Sequence, residues 1–255
     1  MEKCPGCGGT VLKMSGRGTQ RVAADMATLF PSARCLRWDR DAVTGRSGHE
    51  KIYNDVMDGK ADIIVGTQMI AQGHDFPNLT LVGVLDADRS LRFPDFRAAE
   101  RTFQLLMQVA GRAGRAERPG EVLIQTRNPD HYALRAVVER SFDAFATSEM
   151  NYRQEAAYPP FTRVAHAIVR AKTEKTAEEG ADALIHWMES GAPIHGAVCL
   201  GPAPAFHRMK AGWAQWQVVL KAPPDAMDRI LSRANAFVPP SGVGVILDVD
   251  PEGMA

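Results

Sequence analysis

The sequence lacks several features that would assign it to a simple class of protein. It has no excess charge of either sign, because 30 basic residues balance 30 acidic ones. No apolar run approaches the roughly 18 residues of a membrane-spanning helix. The start, M-E-K-C-P-G-C, has neither the basic residues nor the apolar stretch of a secretory signal. We therefore expect no membrane partner, and the hydrophobic fraction of 45% excludes a chain disordered throughout.

Lysine is scarce, since 8 of the basic residues are lysines and 22 are arginines. The neutral balance removes the simplest argument for a nucleic-acid partner, which is a strongly basic chain. The charge is nevertheless uneven, because residues 89–127 hold eight arginines, no lysine and four acidic residues. Such a segment suits bidentate recognition of phosphate, although genome composition alone also produces arginine-rich chains.

Cysteine is scarce as well, with four in 255 residues, which favours a reducing compartment over a disulfide scaffold. Cys4 and Cys7 form a C-x-x-C-G segment typical of half a structural zinc site. Zinc needs four ligands in a tetrahedron, and no second pair of Cys or His follows at a matching spacing. A redox pair and chance are the alternatives. Cys35 and Cys199 stand alone and are expected to be small buried residues.

Helix and strand patterns alternate from about residue 18 to 127, which predicts βαβ units and a mostly parallel sheet. The predicted strands cover residues 34–38, 62–65, 79–85 and 122–124. Thr19 and Ser47 are the predicted caps of the first two helices. Longer helices are predicted at about 97–113 and 131–152.

The pattern changes after Tyr158-Pro159-Pro160, where the order of elements becomes β-α-β-β-α-β. This order is that of a ferredoxin-like split βαβ fold. The sequence thus predicts an α/β domain over residues 18–157 and a smaller ferredoxin-like α+β domain over 158–255. Residues 1–17, which hold the cysteine pair, precede both domains.

The strongest chemical signal is Q-V-A-G-R-A-G-R over residues 108–115. On a helix that turns about 100° per residue, Gln108, Arg112 and Arg115 fall within a narrow arc and present one amide and two guanidinium groups to a single target. The glycines remove side chains that would hold a phosphate at a distance. Two converging arginines suit the arginine-finger role in phosphoryl transfer. The alternative, a solvated basic helix end, explains neither the glutamine nor the glycines.

A second signal is V-G-T-Q-M-I-A-Q-G-H-D-F-P over residues 65–77. A buried strand ends in Gly66-Thr67, where backbone N–H groups and the threonine hydroxyl can hold a phosphate oxygen. Gly73 and Asp75 are predicted to form a further turn, whose carboxylate can accept a hydrogen bond from a ribose hydroxyl or orient an arginine. The second signal is weak alone and becomes specific when the first follows about 40 residues later.

These two segments resemble motifs five and six of superfamily 2 helicases. D-I-I-V-G-T-Q-M-I-A-Q-G-H-D-F-P-N-L-T over 62–80, R-F-P-D-F-R-A-A-E-R over 92–101 and G-P-A-P over 201–204 are similar to one family among them, primosomal protein N′. The resemblance covers nearly the whole chain. It implies a parallel-sheet, RecA-like second helicase lobe followed by the ferredoxin-like domain. It also implies a bacterial cytoplasmic protein that uses ATP to move 3′ to 5′ along DNA and to restart stalled replication forks.

The resemblance also implies residues that act on the nucleotide. Gln108, Arg112 and Arg115 match the catalytic motif, with Arg115 as the arginine finger. Gly73, Asp75, Arg112 and Arg115 match nucleotide-binding positions. Of these, Gly73 and Asp75 match the positions that couple the nucleotide to DNA.

Further roles follow from the same resemblance. Gly66, Thr67 and Gln68 match the segment that faces the DNA backbone. Cys4 and Cys7 match the last of four cysteine pairs that bind two zinc ions in the family. Residues 1–17 would then be the remnant of a zinc-binding insertion, with the other zinc ligands expected upstream of the first methionine.

Two family motifs are missing from the 255 residues. The sequence has neither a G-x-x-x-x-G-K-[ST] loop for the phosphates nor a D-E-x-H segment for magnesium. Asp86-Ala87-Asp88 imitates the latter, but its place after motif five favours a structural role. ATP and magnesium are therefore expected to be held mostly by a missing first lobe, and the chain alone is expected not to hydrolyse ATP.

The expected partners are single-stranded and forked DNA, primosome proteins and single-strand-binding proteins. The alternative function is a non-catalytic module that binds DNA or the primosome without ATPase activity. Trp213 and Trp216 can stack on bases, but their separation on a strand places them on opposite faces, so one is expected in the core. The few basic residues beside them in the sequence argue against a DNA contact there.

Overall fold

The structure, a computed structural model, describes residues 18–39, 45–71, 76, 78–111 and 120–254. These residues form a mixed α/β fold that divides into two compact units. The first unit holds the described residues up to Asp88 together with Gln104–Asn128, and the second holds Arg89–Phe103 and the described residues from Pro129 onward. None of the helices in these ranges is long and apolar enough to cross a membrane.

The first half of the chain alternates helices with short strands. Its elements are α1 (Thr19–Leu29), β1 (Cys35–Trp38), α2 (Gly45–Met57), β2 (Ile63–Gly66), a 3-10 turn (Gln68–Ala71), β3 (Leu81–Val84), α3 (Asp88–Leu91), α4 (Ala98–Ala110) and β4 (Glu121–Ile124). Strand β1 pairs in parallel with β2, and β3 pairs in parallel with β4. The predicted parallel pairing is confirmed, but the four strands form two separate two-stranded sheets within the described residues.

Two predicted helix caps are wrong. The residue that caps α1 is Gly18, and the hydroxyl of Thr19 instead donates a hydrogen bond to the carboxylate of Asp39. Asp39 is buried, and a buried carboxylate needs donors around it. Helix α2 begins at Gly45, so Ser47 lies inside the helix instead of preceding it.

The second half of the chain forms the larger sheet. Its elements are α5 (Tyr132–Val138), α6 (Phe142–Glu155), β5 (Arg163–Ala171), α7 (Glu174–Ser190), β6 (Val198–Lys210), β7 (Trp213–Ala222), α8 (Met227–Asn235) and β8 (Gly244–Val249). From β5 onward they follow the order β-α-β-β-α-β. The four strands form one antiparallel sheet in the spatial order β6-β7-β5-β8.

The sequence mispredicted two boundaries in this half. The single helix expected over 131–152 is divided into α5 and α6, because Arg140 adopts a left-handed conformation with φ 51°. Ser141 then starts a new helix, since its hydroxyl accepts a hydrogen bond from the N–H of Ala144 at 3.1 Å. The strand expected at 197–200 is also longer, and β6 continues to Lys210.

Alternating residues of β5 and β7 bury one face of this sheet under α7 and α8. The strand residues of this core are Ala165, Ala167, Val169, Val218, Leu220 and Ala222. At one end of the opposite face, Phe96, Tyr158 and Met254 pack with Val164 and Val219. Segments before and after the β-α-β-β-α-β region therefore cover part of its second face.

Candidate functional site

The carboxyl end of β2 carries the first group of predicted site residues. Gly66 pairs with Trp38 across the two parallel strands. A Cβ atom on Gly66 would lie 2.2 Å from the carbonyl oxygen of Trp38 and 2.3 Å from Cδ1 of Ile70. Glycine is required here because the strand and the following 3-10 turn approach so closely. Thr67 and Gln68 come directly after it and are exposed, so a hydroxyl and an amide stand at the strand end where α/β folds bind their ligands.

Trp38 fixes the position of this strand end. Its side chain is fully buried, and its Nε1 donates a hydrogen bond to Nδ1 of His49 at 2.9 Å. The ring of Phe76 packs edge-on against it, with 6.3 Å between the ring centroids. Phe76 is buried too and belongs to the segment that carries Gly73 and Asp75, which themselves lie outside the described residues. The Trp38–Phe76 contact therefore places Phe76 against the end of β1, which pairs with the Gly66 end of β2.

Helix α4 carries the second group. It buries one stripe of side chains at helical spacing, formed by Thr102, Phe103, Leu106 and Val109. Gln108 lies off this stripe and is exposed in the last turn. The N–H of Gly111 still donates to the carbonyl oxygen of Met107 at 2.9 Å, as in a helix. Arg112 and Arg115 lie outside the described residues, so their convergence with Gln108 stays a prediction.

Asp88 has a structural role in the segment Asp86-Ala87-Asp88. Its carboxylate is buried and accepts hydrogen bonds from the hydroxyl of Thr126 at 3.0 Å and from the N–H of Arg127 at 2.8 Å. The N–H of Ala87 donates to the carbonyl oxygen of Gln125 at 3.0 Å. These bonds join the chain after β3 to the chain after β4. Asp88 thus has the structural role that the place of this segment after motif five predicted.

The described residues contain no group of three or more His, Cys, Asp or Glu side chains that could hold a metal ion. Cys4 and Cys7 lie outside the described residues. Cys35 and Cys199 are partly buried, and burial raises the pKa of both thiols. Raised pKa values keep both thiols protonated, as is usual for isolated cysteines that pack as small apolar residues.

The structure separates the two tryptophans of β7 as predicted. Trp216 packs against the core of the sheet, and Trp213 lies on the opposite face. There the ammonium of Lys172 is 3.8 Å from the centroid of the Trp213 ring, and Cζ of Arg170 is 5.5 Å away. Sequence reasoning missed these cations because they come from the end of β5, about 40 residues earlier in the chain. The alternation of β5, which places Arg170 opposite its core residues, was the available signal.

Comparisons with known proteins assign the chain to a family. The pattern described as helicase conserved C-terminal domain matches residues 25–117, and that of the primosomal protein N C-terminal domain matches residues 154–252. The replication restart protein PriA of Bacillus subtilis is 39% identical over an alignment of 254 residues. This alignment covers 97% of this chain and 31% of that protein. Those of Treponema pallidum and Haemophilus influenzae are 41% and 38% identical over 98% and 99% of the chain, and over 38% and 35% of their own lengths. The chain belongs to the PriA family.

The chain spans about a third of the length of these PriA relatives. The matched helicase region contains both groups of predicted site residues, the one after β2 and the one at the end of α4. The matched region specific to primosomal protein N contains the whole sheet from β5 to β8, including Trp213 and its two cations. The predicted nucleotide-binding residues and Trp213 therefore lie in different matched regions.

Proposed function

We propose that the chain supplies the second, RecA-like lobe of an ATP-dependent helicase, over residues 18–157, and a ferredoxin-like domain over 158–255. This helicase moves 3′ to 5′ along DNA, restarts stalled replication forks and assembles the primosome. The observation that carries the proposal is the position of Gly66-Thr67-Gln68 at the carboxyl end of a parallel strand, inside the region that matches a helicase C-terminal domain.

The topology supports both parts of this assignment. Parallel pairing of β1 with β2 and of β3 with β4 is the strand arrangement of an α/β lobe with crossover helices. The β-α-β-β-α-β order, with antiparallel strands arranged β6-β7-β5-β8 and two helices on one face, is the arrangement of a ferredoxin-like domain.

On the nucleotide side, Gln108, Arg112 and Arg115 face the phosphates of ATP. The guanidinium groups neutralise the charge that develops on the transferred phosphoryl group, and Arg115 acts as the arginine finger. Gly73 and Asp75 couple this site to the DNA, and the Asp75 carboxylate orients a ribose hydroxyl or an arginine.

On the DNA side, the hydroxyl of Thr67 and the amide of Gln68 hold a backbone phosphate. Both side chains are exposed at the end of β2, as such a contact requires. Phe76 packs against Trp38, whose carbonyl oxygen touches Gly66. We propose that this contact couples the Gly73 and Asp75 positions to the strand end that holds the phosphate, and so connects the nucleotide to the DNA.

The 255 residues supply only part of what this function needs. The first lobe would bring the phosphate-binding loop and the magnesium ligands, because neither motif occurs in the sequence. Cys4 and Cys7 provide two of the four ligands that a structural zinc requires, and the other two must come from elsewhere. The proposed partners are single-stranded and forked DNA, primosome proteins and single-strand-binding proteins, in the cytoplasm of a bacterium.

The test uses the product of the whole reading frame that contains this chain. We expect the frame upstream of Met1 to encode a phosphate-binding loop and six further cysteines, and the purified product to hydrolyse ATP when oligo-dT is added. Arg115→Ala should lower kcat by roughly a thousandfold, because an arginine finger contributes at least that much. Arg127→Ala changes an exposed arginine outside the site and is the control. Equal rates for the two variants would contradict the proposal.

A non-catalytic module that binds DNA or the primosome is the second candidate. The missing phosphate-binding loop and D-E-x-H segment favour it. A promoter and a start site directly before Met1, with no coding sequence in frame upstream, would support this candidate over the enzyme.

A further inference from the structure

One end of the second face of the β6-β7-β5-β8 sheet is open. At the other end of this face, Phe96 and Met254 are buried where they pack on Val164, and Tyr158 extends the cover. Further along β5 the side chain that points to the same face is Arg170, and it is exposed. The sheet therefore changes along its strands from a covered apolar surface to an exposed polar one.

Four exposed cations surround Trp213 at the open end. Together with the indole they form what we call the Trp213 face, made of Arg170, Lys172, Arg208, Lys210 and Trp213. The ammonium of Lys172 lies over the indole ring at 3.8 Å from its centroid, within the range of a cation–π contact. Lys210 pairs with Trp213 across β6 and β7, and Arg208 precedes Lys210 by two residues.

The backbone holds these side chains in place. Ala211 and Gly212 join β6 to β7 with φ angles of 51° and 76°, the two positive values of a tight two-residue hairpin turn. Lys210 and Trp213 flank this turn, so their separation is set by the hairpin. Arg170 pairs with Gln215 on the neighbouring strand, and this register fixes the position of Arg170 along the strands. The aromatic ring and the cations are therefore presented together before any ligand arrives.

The charge of the Trp213 face is positive. Among the described residues, Arg208 is the one cation of the four with a carboxylate within ion-pair distance, that of Glu174 at 3.8 Å. Both side chains of that pair are exposed, so the attraction between them is weak. Arg170, Lys172 and Lys210 are left to attract an anionic partner, in a chain whose total charge is zero.

We propose that the Trp213 face binds a single strand of DNA, with phosphates on the four cations and a base stacked on the indole in the place that the Lys172 ammonium leaves when it moves to a phosphate. Aromatic rings set among cations on a sheet are the surface that unstacked bases and their phosphates recognise. A double helix keeps its base faces stacked inside and gives the indole nothing to bind. The identity of the strand as DNA rests on the proposed function, whereas the surface uses none of the residues of the nucleotide site.

The test measures binding of a fluorescent oligo-dT of about 16 nucleotides to the 255-residue chain without ATP. Trp213→Ala should weaken binding roughly tenfold, because stacking of one base contributes that much, and Trp213→Phe should keep most of the affinity. Lys172→Gln should lower the slope of log affinity against log salt by about 0.7, the value for one phosphate contact on a single strand.

Two control variants lie on α7, which packs against the opposite face of the sheet. Trp187→Phe alters another tryptophan that is 41% exposed, and Lys175→Gln removes the charge of another exposed lysine. Both should bind oligo-dT as the unchanged chain does. Equal affinity for Trp213→Ala and Trp187→Phe would overturn the proposal, as would displacement of oligo-dT by poly-glutamate at equal charge concentration, which would indicate an acidic peptide ligand. The binding assay contains no ATP, whereas the test of the proposed function measures ATP hydrolysis, so the two proposals can fail separately.

Discussion

At the scale of single residues, Gly66 shows why part of the site was readable from the sequence. The G-T-Q segment marks the end of a buried strand, and the structure gives the reason for its glycine in the contact with Trp38. The burial of Trp38 and its bond to His49 had no local signal, because they depend on residues 11 and more positions apart. A short motif therefore predicts the backbone, and only the fold shows which side chains support it.

Gly66→Ala should destabilise the first unit by about 2 kcal/mol or more, because the new methyl group would overlap a backbone oxygen. Gly83→Ala is the matched control, since an added Cβ on this strand glycine meets nothing within 4 Å. It should change stability by less than about 1 kcal/mol, in the stabilising direction. Hydrogen exchange of peptides covering β1 to β4 measures both effects. Similar exchange in the two variants would show that the close packing at Gly66 is not rigid.

At the scale of elements, a buried polar cluster joins α4, α5 and α6. The guanidinium of Arg153 donates to Glu149 at 2.7 Å and to Glu100 at 2.8 Å, and the hydroxyl of Tyr132 donates to Glu149 at 2.5 Å. Burial and the bond to Glu149 raise the pKa of Tyr132, which keeps its hydroxyl protonated as a donor. Arg153 also lies over the ring of Phe96, which packs on the sheet. The cluster therefore ties α4 to α6 through Arg153 and α5 to α6 through Glu149.

Arg153→Met should lower the free energy of unfolding of the second unit by on the order of 3 kcal/mol, because it leaves the nearly buried Glu149 carboxylate without its cation. Arg163→Met is the control, since that arginine pairs at 2.6 Å with the exposed Asp250. An exposed pair contributes about 1 kcal/mol or less. Urea unfolding followed by tryptophan fluorescence compares them, and equal midpoints would contradict the central role of Arg153.

An element could be predicted from the sequence when the residues that form it are close together in the chain. Strands β5 and β7 were predicted because their core residues alternate, and the capping of α7 by Thr173 is local too. The break at Arg140 was missed because the helical pattern continues through it. The Trp213 face was missed because its cations come from two strands and a strand end that only the sheet brings together.

At the scale of the whole molecule, the zero net charge of the chain conceals local concentrations of charge. The arginine-rich segment over 89–127 and the four cations around Trp213 are balanced by acidic residues elsewhere. A neutral total therefore does not argue against an anionic partner here. The chain also covers only about a third of the length of each of these PriA relatives.

The purified 255-residue chain should not hydrolyse ATP, with or without oligo-dT, because it has no loop to hold the phosphates and no carboxylate motif for magnesium. Phosphate release by the chain, next to a known DNA-stimulated ATPase as positive control, measures this. Turnover above background in a preparation free of contaminating ATPase would contradict the expectation and would point to a nucleotide site of another kind.

The G-P-A-P segment has a consequence for solubility. Strand β6 is at the edge of its sheet, and an edge strand offers unpaired backbone groups to strands of other molecules. Pro202 and Pro204 lie within β6 and have no N–H to donate. Prolines within an edge strand remove donors that a further strand would use, which disfavours extension of the sheet by a second chain through this stretch. A segment first noticed as a family signature thus also suits an edge strand that stays unpaired.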